Sequence, residues 1–156
     1  MKTIDNYIIE KLKIGKMHYI CQPEDRDELK SILKERLAKD KNANLNDIDV
    51  SKITDMSWLF YNLNPHNIDV SQWNVSNVET MNGMFFDCRN LNCDLSDWDV
   101  SSVKNMKAMF YDCKHFNCDL SDWHVSKVED MLNMFYNCRS LIKNIPSWYK
   151  DYEKIR

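Results

Sequence analysis

The chain has 156 residues and 44% hydrophobic content, enough for one domain or one repeat array with a packed core. Its net charge of −3 is unevenly held: residues 1–46 carry ten Lys/Arg against eight Asp/Glu, and residues 47–156 carry eleven against sixteen. An acidic array argues against a nucleic-acid backbone as partner, and no run reaches the ~18 apolar residues of a membrane span.

The opening stretch, MKTIDNYIIEKLKIGKMHYI, is broken by charge every few positions and lacks the apolar core of a secretory signal. The chain therefore reads as intracellular, as trimmed, or as carried to a surface or virion by another route. Residues 3–13 place Ile4, Ile8 and Leu12 on one side of an expected helix. Asp25-x-x-Glu28 is a capping-box pattern, and it opens an expected helix over 25–39 with Leu29, Ile32, Leu33 and Leu37 as its apolar stripe. Residues 1–46 are thus expected to form a helical N-terminal cap, and 47–156 a repeat array with its own C-terminal cap.

From Ile48 onward the chain repeats every 25 residues. Ile48, Trp73, Trp98, Trp123 and Trp148 form one column, and Val50, Val75, Val100 and Val125 lie two positions on. A serine column follows (Ser51, Ser76, Ser101, Ser126), then Ile53, Val78, Val103 and Val128. Beyond these come methionine, phenylalanine and cysteine columns, the last through Cys88, Cys113 and Cys138. Val78, Met81, Met84, Phe85 and Cys88 share a helical stripe, and Ser76 with Glu79 and Ser126 with Glu129 read as capping boxes. The pattern predicts short helices near 77–87, 102–112 and 127–137, with a weaker one near 52–62. Cys93 and Leu95 alternate with Asp94 and Ser96, which predicts a short strand over 92–98 and its equivalents. The expected fold is an α/β solenoid, an array of about four strand–helix rungs.

The ladders of one residue type invite chemistry, but the bland readings are the stronger. Cysteines repeated along an axis do not converge on a tetrahedral metal, so buried thiols are expected and no metal or cofactor is assigned. The methionines and tryptophans fall on inward positions, with the indole N–H expected to find an acceptor near a turn. Asp69, Asp94 and Asp119 suit turn-capping. Equal environments make them poor acid–base pairs, and the Gly-Asp signature of calcium repeats is absent. His18, His66, His115 and His124 form no metal or nucleophile motif. Specificity is expected where rows differ or carry charge: Gln72, Asp94, Asp97, Asp99, Asp119, Asp122 and His124 on the strand side, and Arg89, Lys114 and Arg139 after the helix.

The stretch WDVSSVKNMKAMFYDCKHFNCDLSDW resembles the BspA-like repeats of bacterial surface proteins, and the resemblance runs over roughly 48–148. That family commonly has Gly before Asp-Leu/Ile-Ser, where this chain has Cys93 and Cys118. The resemblance implies a leucine-rich-repeat-like solenoid in a bacterial or phage setting, binding proteins or surfaces without catalysis. The expected function is a non-enzymatic recognition module for a protein partner, monomeric or weakly self-associating. The alternative is a structural component that assembles through the ends of the array.

Overall fold

The computed structural model describes residues 20–155. The helix expected over 3–13 lies outside the described residues. Helix α1 spans Arg26–Lys39, close to the predicted 25–39. Asp25 caps it, one carboxylate oxygen accepting the Asp27 and Glu28 amides at 2.9 Å. Glu28 turns back to accept the Glu24 amide at 2.9 Å, one residue before the cap itself. Its buried stripe is Leu29, Leu33 and Leu37, with Ile32 half-buried.

The α/β array of strand–helix rungs is not what the chain forms. Among the described residues the only helical elements are α1, a 3₁₀ turn at Arg139–Leu141 and α2 at Ser147–Ile155, and there are no strands, only isolated parallel bridges. The bridges Asp55↔Thr80, Thr80↔Asn105 and Asn105↔Asp130 nonetheless fall one period apart, so each 25-residue repeat is a coil of turns stacked on the next.

The arcs over 80–88 and its equivalents show why no helix forms. A helix satisfies its amides locally, each bonding four residues back. Here every second amide goes elsewhere. Met81, Gly83, Phe85 and Asp87 donate to the carbonyls of Asn105, Lys107, Met109 and Tyr111 in the next coil at 2.8–2.9 Å. The amides between them, of Met84, Phe86 and Cys88, close turns three residues back at 3.0–3.1 Å. Two positions per arc take positive φ: Trp58, Gly83, Ala108 and Asn133 form one column, and Asn62, Asp87, Asp112 and Asn137 the other. Left-handed residues end a right-handed helix after a single turn. The predicted strand over 92–98 is likewise absent: Trp98 bonds back to the Leu95 carbonyl at 3.1 Å, a turn.

The predicted serine caps of the repeat also give way. Asn74 Oδ1 accepts the Ser76 amide and hydroxyl at 3.2 and 2.7 Å, so the residue two before the serine is the capping group. Asp49, Asp69, Asp94, Asp99 and Asp119 likewise accept the amide of the serine two residues on, at 3.0–3.1 Å. With two glycines in the chain, these Asx turns supply the corners.

The core is a set of columns. Trp73 stacks on Trp98 at 6.3 Å, and Trp123 on Trp148 at 6.5 Å. Phe85 stacks on Phe60 at 4.9 Å and on Phe110 at 5.5 Å. Each indole N–H reaches back 28 residues: Trp73 to the Leu45 carbonyl, Trp98 to Val70, Trp123 to Leu95 and Trp148 to Leu120, at 2.9–3.1 Å. Those carbonyls already accept the amide that closes their own turn, so the indole takes the second lone pair. The cysteines follow the same rule. Cys113 Sγ donates to the Phe85 carbonyl at 3.0 Å and Cys138 Sγ to Phe110 at 2.9 Å. Recurrence of Trp and Cys thus follows from a buried carbonyl with a spare lone pair in every coil.

Both ends of the described stack carry a helix. α1 contributes Leu29, Leu33 and Leu37 to the common core. α2 carries Trp148 onto Trp123, sets Tyr149 edge-on to Phe135 at 4.9 Å, and presents Tyr152 Oη to the Met131 amide at 3.2 Å.

Candidate functional site

Three surfaces were open to function. At the junction of α1 and the first coil, a shallow cleft is lined by Glu24, Asp25, Arg26, Asp27, Lys52 and Asp55. Its charges face each other: Arg26 meets Asp27 at 2.9 Å and Asp55 at 3.5 Å, Lys52 meets Glu24 at 2.9 Å, and Asp25 caps the helix.

The cationic column also looks inward on itself. Arg89 Nε meets Asp87 at 2.7 Å and Asp112 at 3.2 Å, and Lys114 lies 3.9 Å from Asp112. Arg139 donates to Asn137 Oδ1 at 3.1 Å, and Asn137 in turn donates to Asp112. Three of the expected binding residues are therefore parts of a zipper that joins neighbouring coils.

The remaining expected residues are at the surface. Gln72, Asp94, Asp97, Asp99, Asp119, Asp122 and His124 are all exposed. They divide by role. Asp94, Asp99 and Asp119 cap turns, and Gln72 takes its amide to Asn46 Oδ1 at 2.9 Å. Those capping bonds stabilise the ionised form. The Ser96 amide and hydroxyl hold Asp94 below the usual carboxylate range. The Ser101 hydroxyl and amide do so for Asp99, and those of Ser121 for Asp119. Asn46 and Ser71 do the same for Asp69. Asp97 and Asp122 make no hydrogen bond or ion pair among the described residues. No described Lys or Arg forms an ion pair with any of these six carboxylates; every described pair lies elsewhere on the molecule.

The thiols offer no reactive site. Burial pushes Cys138 up to about 12 and Cys21 and Cys118 up to about 11, while Cys88, Cys93 and Cys113 are raised further by the same cause. A raised thiol is a poor nucleophile and a poor metal ligand.

One feature escaped the reading of the sequence. The position after the phenylalanine column is aromatic in all four rows: Tyr61, Phe86, Tyr111 and Tyr136. It forms a second, outer ladder, with Phe86 on Tyr111 at 4.7 Å and Tyr111 on Tyr136 at 4.6 Å. Trp58 and Tyr61 pack against Phe86 at its start, at 5.3 and 5.8 Å. Trp58, Tyr61 and Tyr136 are exposed by 37%, 37% and 56%, which makes this ladder part of the surface. The signal was four aromatic residues in register, adjacent to a column already assigned to the core.

Over residues 28–148 the chain matches the family described as Mycoplasma protein of unknown function, DUF285. The chain belongs to this family. The match takes in most of α1 and the whole repeat array and stops at Trp148, just inside α2. No curated protein and no solved structure matches the chain. Among the described residues no helix is long and apolar enough to cross a membrane.

Proposed function

We propose that this member of the DUF285 family is a non-enzymatic recognition module that binds a protein partner through its carboxylate face, as the BspA-like resemblance of the repeat implies. The observation that carries the proposal is a difference between carboxylates. Glu79, Asp87 and Asp112 pair with Lys104, Arg89 and Lys114, whereas Asp69, Asp94, Asp97, Asp99, Asp119 and Asp122 meet no Lys or Arg among the described residues in an ion pair. A fixed grid of like charge steers a cationic surface and sets its register. The capping bonds keep four of these carboxylates, Asp69, Asp94, Asp99 and Asp119, rigid and ionised, so little side-chain entropy is lost on binding.

The test places a photo-crosslinking residue at Asp97, at Asp122 or, as control, at Lys107 on another column. Capture of one partner from the first two positions, suppressed by about 0.5 M salt as screening requires, is the expected result. Equal capture from all three positions, or capture from Lys107 alone, sinks the proposal.

A further inference from the structure

Every arc passes alternate amides to the coil above it, and the fourth arc is the last among the described residues. Its first such amide, Met131, donates to Tyr152 Oη at 3.2 Å. The next in sequence, those of Asn133, Phe135 and Asn137, have no acceptor among the described residues, although their equivalents Ala108, Phe110 and Asp112 all do. The outer aromatic ladder stops at the same place. Tyr111 lies between Phe86 and Tyr136, but Tyr136 has a stacking partner on one side only and is 56% exposed. Three donors spaced two residues apart and one open ring face therefore share a single edge.

We infer that this edge is a docking site for a peptide segment of a partner that carries one aromatic residue and follows the same string of turns as the arcs. Its register is dictated by the arcs themselves. Tyr136 stacks on Tyr111 while its own carbonyl accepts the Asp112 amide, and the carbonyls of Met134 and Leu132 accept Phe110 and Ala108. An incoming segment in the same register lays its ring on Tyr136 and its own carbonyl on the Asn137 amide. The carbonyls two and four residues earlier reach Phe135 and Asn133. Unpaired backbone donors in a row are a template for another chain's carbonyls, with the ring contact supplying selectivity.

A second copy of the chain fits this edge less well. The carbonyls of Ser57, Leu59 and Tyr61 at the opposite end accept no hydrogen bond among the described residues, so the two ends are complementary in hydrogen bonding. But α1 lies across that end, Lys30 Nζ donating to the Trp58 carbonyl and Arg26 reaching Asp55 at 3.5 Å. α2 lies across this one, on Phe135. Stacking two intact copies drives one helix into the other, whereas a single short segment needs only the outer edge, where Asn133 and Tyr136 are exposed. The site is separate from the carboxylate face, and either can fail without the other.

The probe is a blocked peptide copying residues 105–112, the arc that carries Tyr111. It is titrated into the isotope-labelled full chain and followed by amide shifts. Perturbation centred on Asn133, Phe135 and Asn137 is expected. Affinity should fall about threefold to tenfold, the worth of one aromatic pair, when the peptide carries Tyr111→Ala or the protein carries Tyr136→Ala. Tyr136→Phe should retain it, and unchanged near-ultraviolet dichroism would show that the variants keep their packing. Millimolar peptide leaving these three amides unmoved, shifts centred elsewhere, or equal binding by Tyr136→Ala overturns the inference. Dimeric mass in the absence of peptide would assign the edge to a second copy instead.

Discussion

Replacing Trp98 with phenylalanine isolates what the tryptophan column contributes. Trp98 is 4% exposed, stacks on Trp73 with an interplanar angle of 8°, and donates its indole N–H to the Val70 carbonyl at 3.1 Å. Phenylalanine keeps a ring in the stack but loses the donor and the second ring. The Val70 carbonyl still accepts the Trp73 amide at 3.1 Å, so no buried acceptor is orphaned and the lost bond costs about 1 kcal/mol. A void of roughly 40 Å³ at about 24 cal/mol per Å³ adds about 1 kcal/mol. The expected loss is therefore about 2 kcal/mol, against about 4 kcal/mol or more for Trp98→Ala, which also removes the stack. Urea denaturation monitored by far-ultraviolet dichroism measures both, with an unchanged m-value confirming that the native array is intact. A cost for Trp98→Phe below about 0.5 kcal/mol, well under a single hydrogen bond, would mean that neither the bond nor the ring matters. A cost equal to that of Trp98→Ala would mean that stacking contributes nothing by itself.

Further expectations follow from other columns. A Cβ at Gly83 would sit 2.8 Å from Trp58 Cε3, yet Ala108 holds the same column at φ 52°. Alanine at this position meets the indole in addition to the strain of positive φ, so Gly83→Ala should cost about 1–2 kcal/mol in wild type, and a Trp58→Ala background should relieve the clash part alone, as a double-mutant cycle will show. The capping bonds depress Asp69, Asp94, Asp99 and Asp119 in the folded chain, so their stabilisation is present above the unfolded carboxylate value of about 3.9 and is lost as pH falls through the lower folded values. Asn74 makes the same turn bond one coil earlier, so Asp99→Asn should keep the fold and flatten the acid limb of a stability–pH curve. Thiol titration with a disulfide reagent near pH 8 should find Cys88, Cys93, Cys113 and Cys138 silent in the folded chain, with slow reaction confined to half-buried Cys21 and Cys118. Rapid labelling of Cys113 would show that its bond to the Phe85 carbonyl is not made in solution. Asp25→Ala should cost about 1 kcal/mol through loss of the cap on α1, read as a lower denaturation midpoint.

The period of 25, the inward columns and α1 were legible because each depends on residues close in sequence or on a pattern that repeats. A buried tryptophan or cysteine declares itself by recurrence, and Asp25-x-x-Glu28 before an apolar stripe declares a helix start. The Asx corners were partly legible in Asp69, Asp94 and Asp119, whereas at Asn74 and Asp99 the serine two residues on was read as the cap. The outer ladder through Tyr136 was equally visible and was passed over because the adjacent phenylalanines already accounted for a core.

What the sequence could not decide is where each amide goes. Val78, Met81, Met84, Phe85 and Cys88 point inward whether the arc is a helix or a string of turns, so apolar spacing cannot separate the two. The choice is made only when a second coil arrives with carbonyls in register. Then the amides of Met81, Gly83, Phe85 and Asp87 bond sideways, and Gly83 and Asp87 take the left-handed backbone that this requires. The same stacking neutralises Arg89 and Lys114 against Asp87 and Asp112, leaves the carboxylate face unpaired, and leaves three amides without partners at the last arc. These are properties of neighbouring coils, 25 residues apart in the chain and one hydrogen bond apart in space.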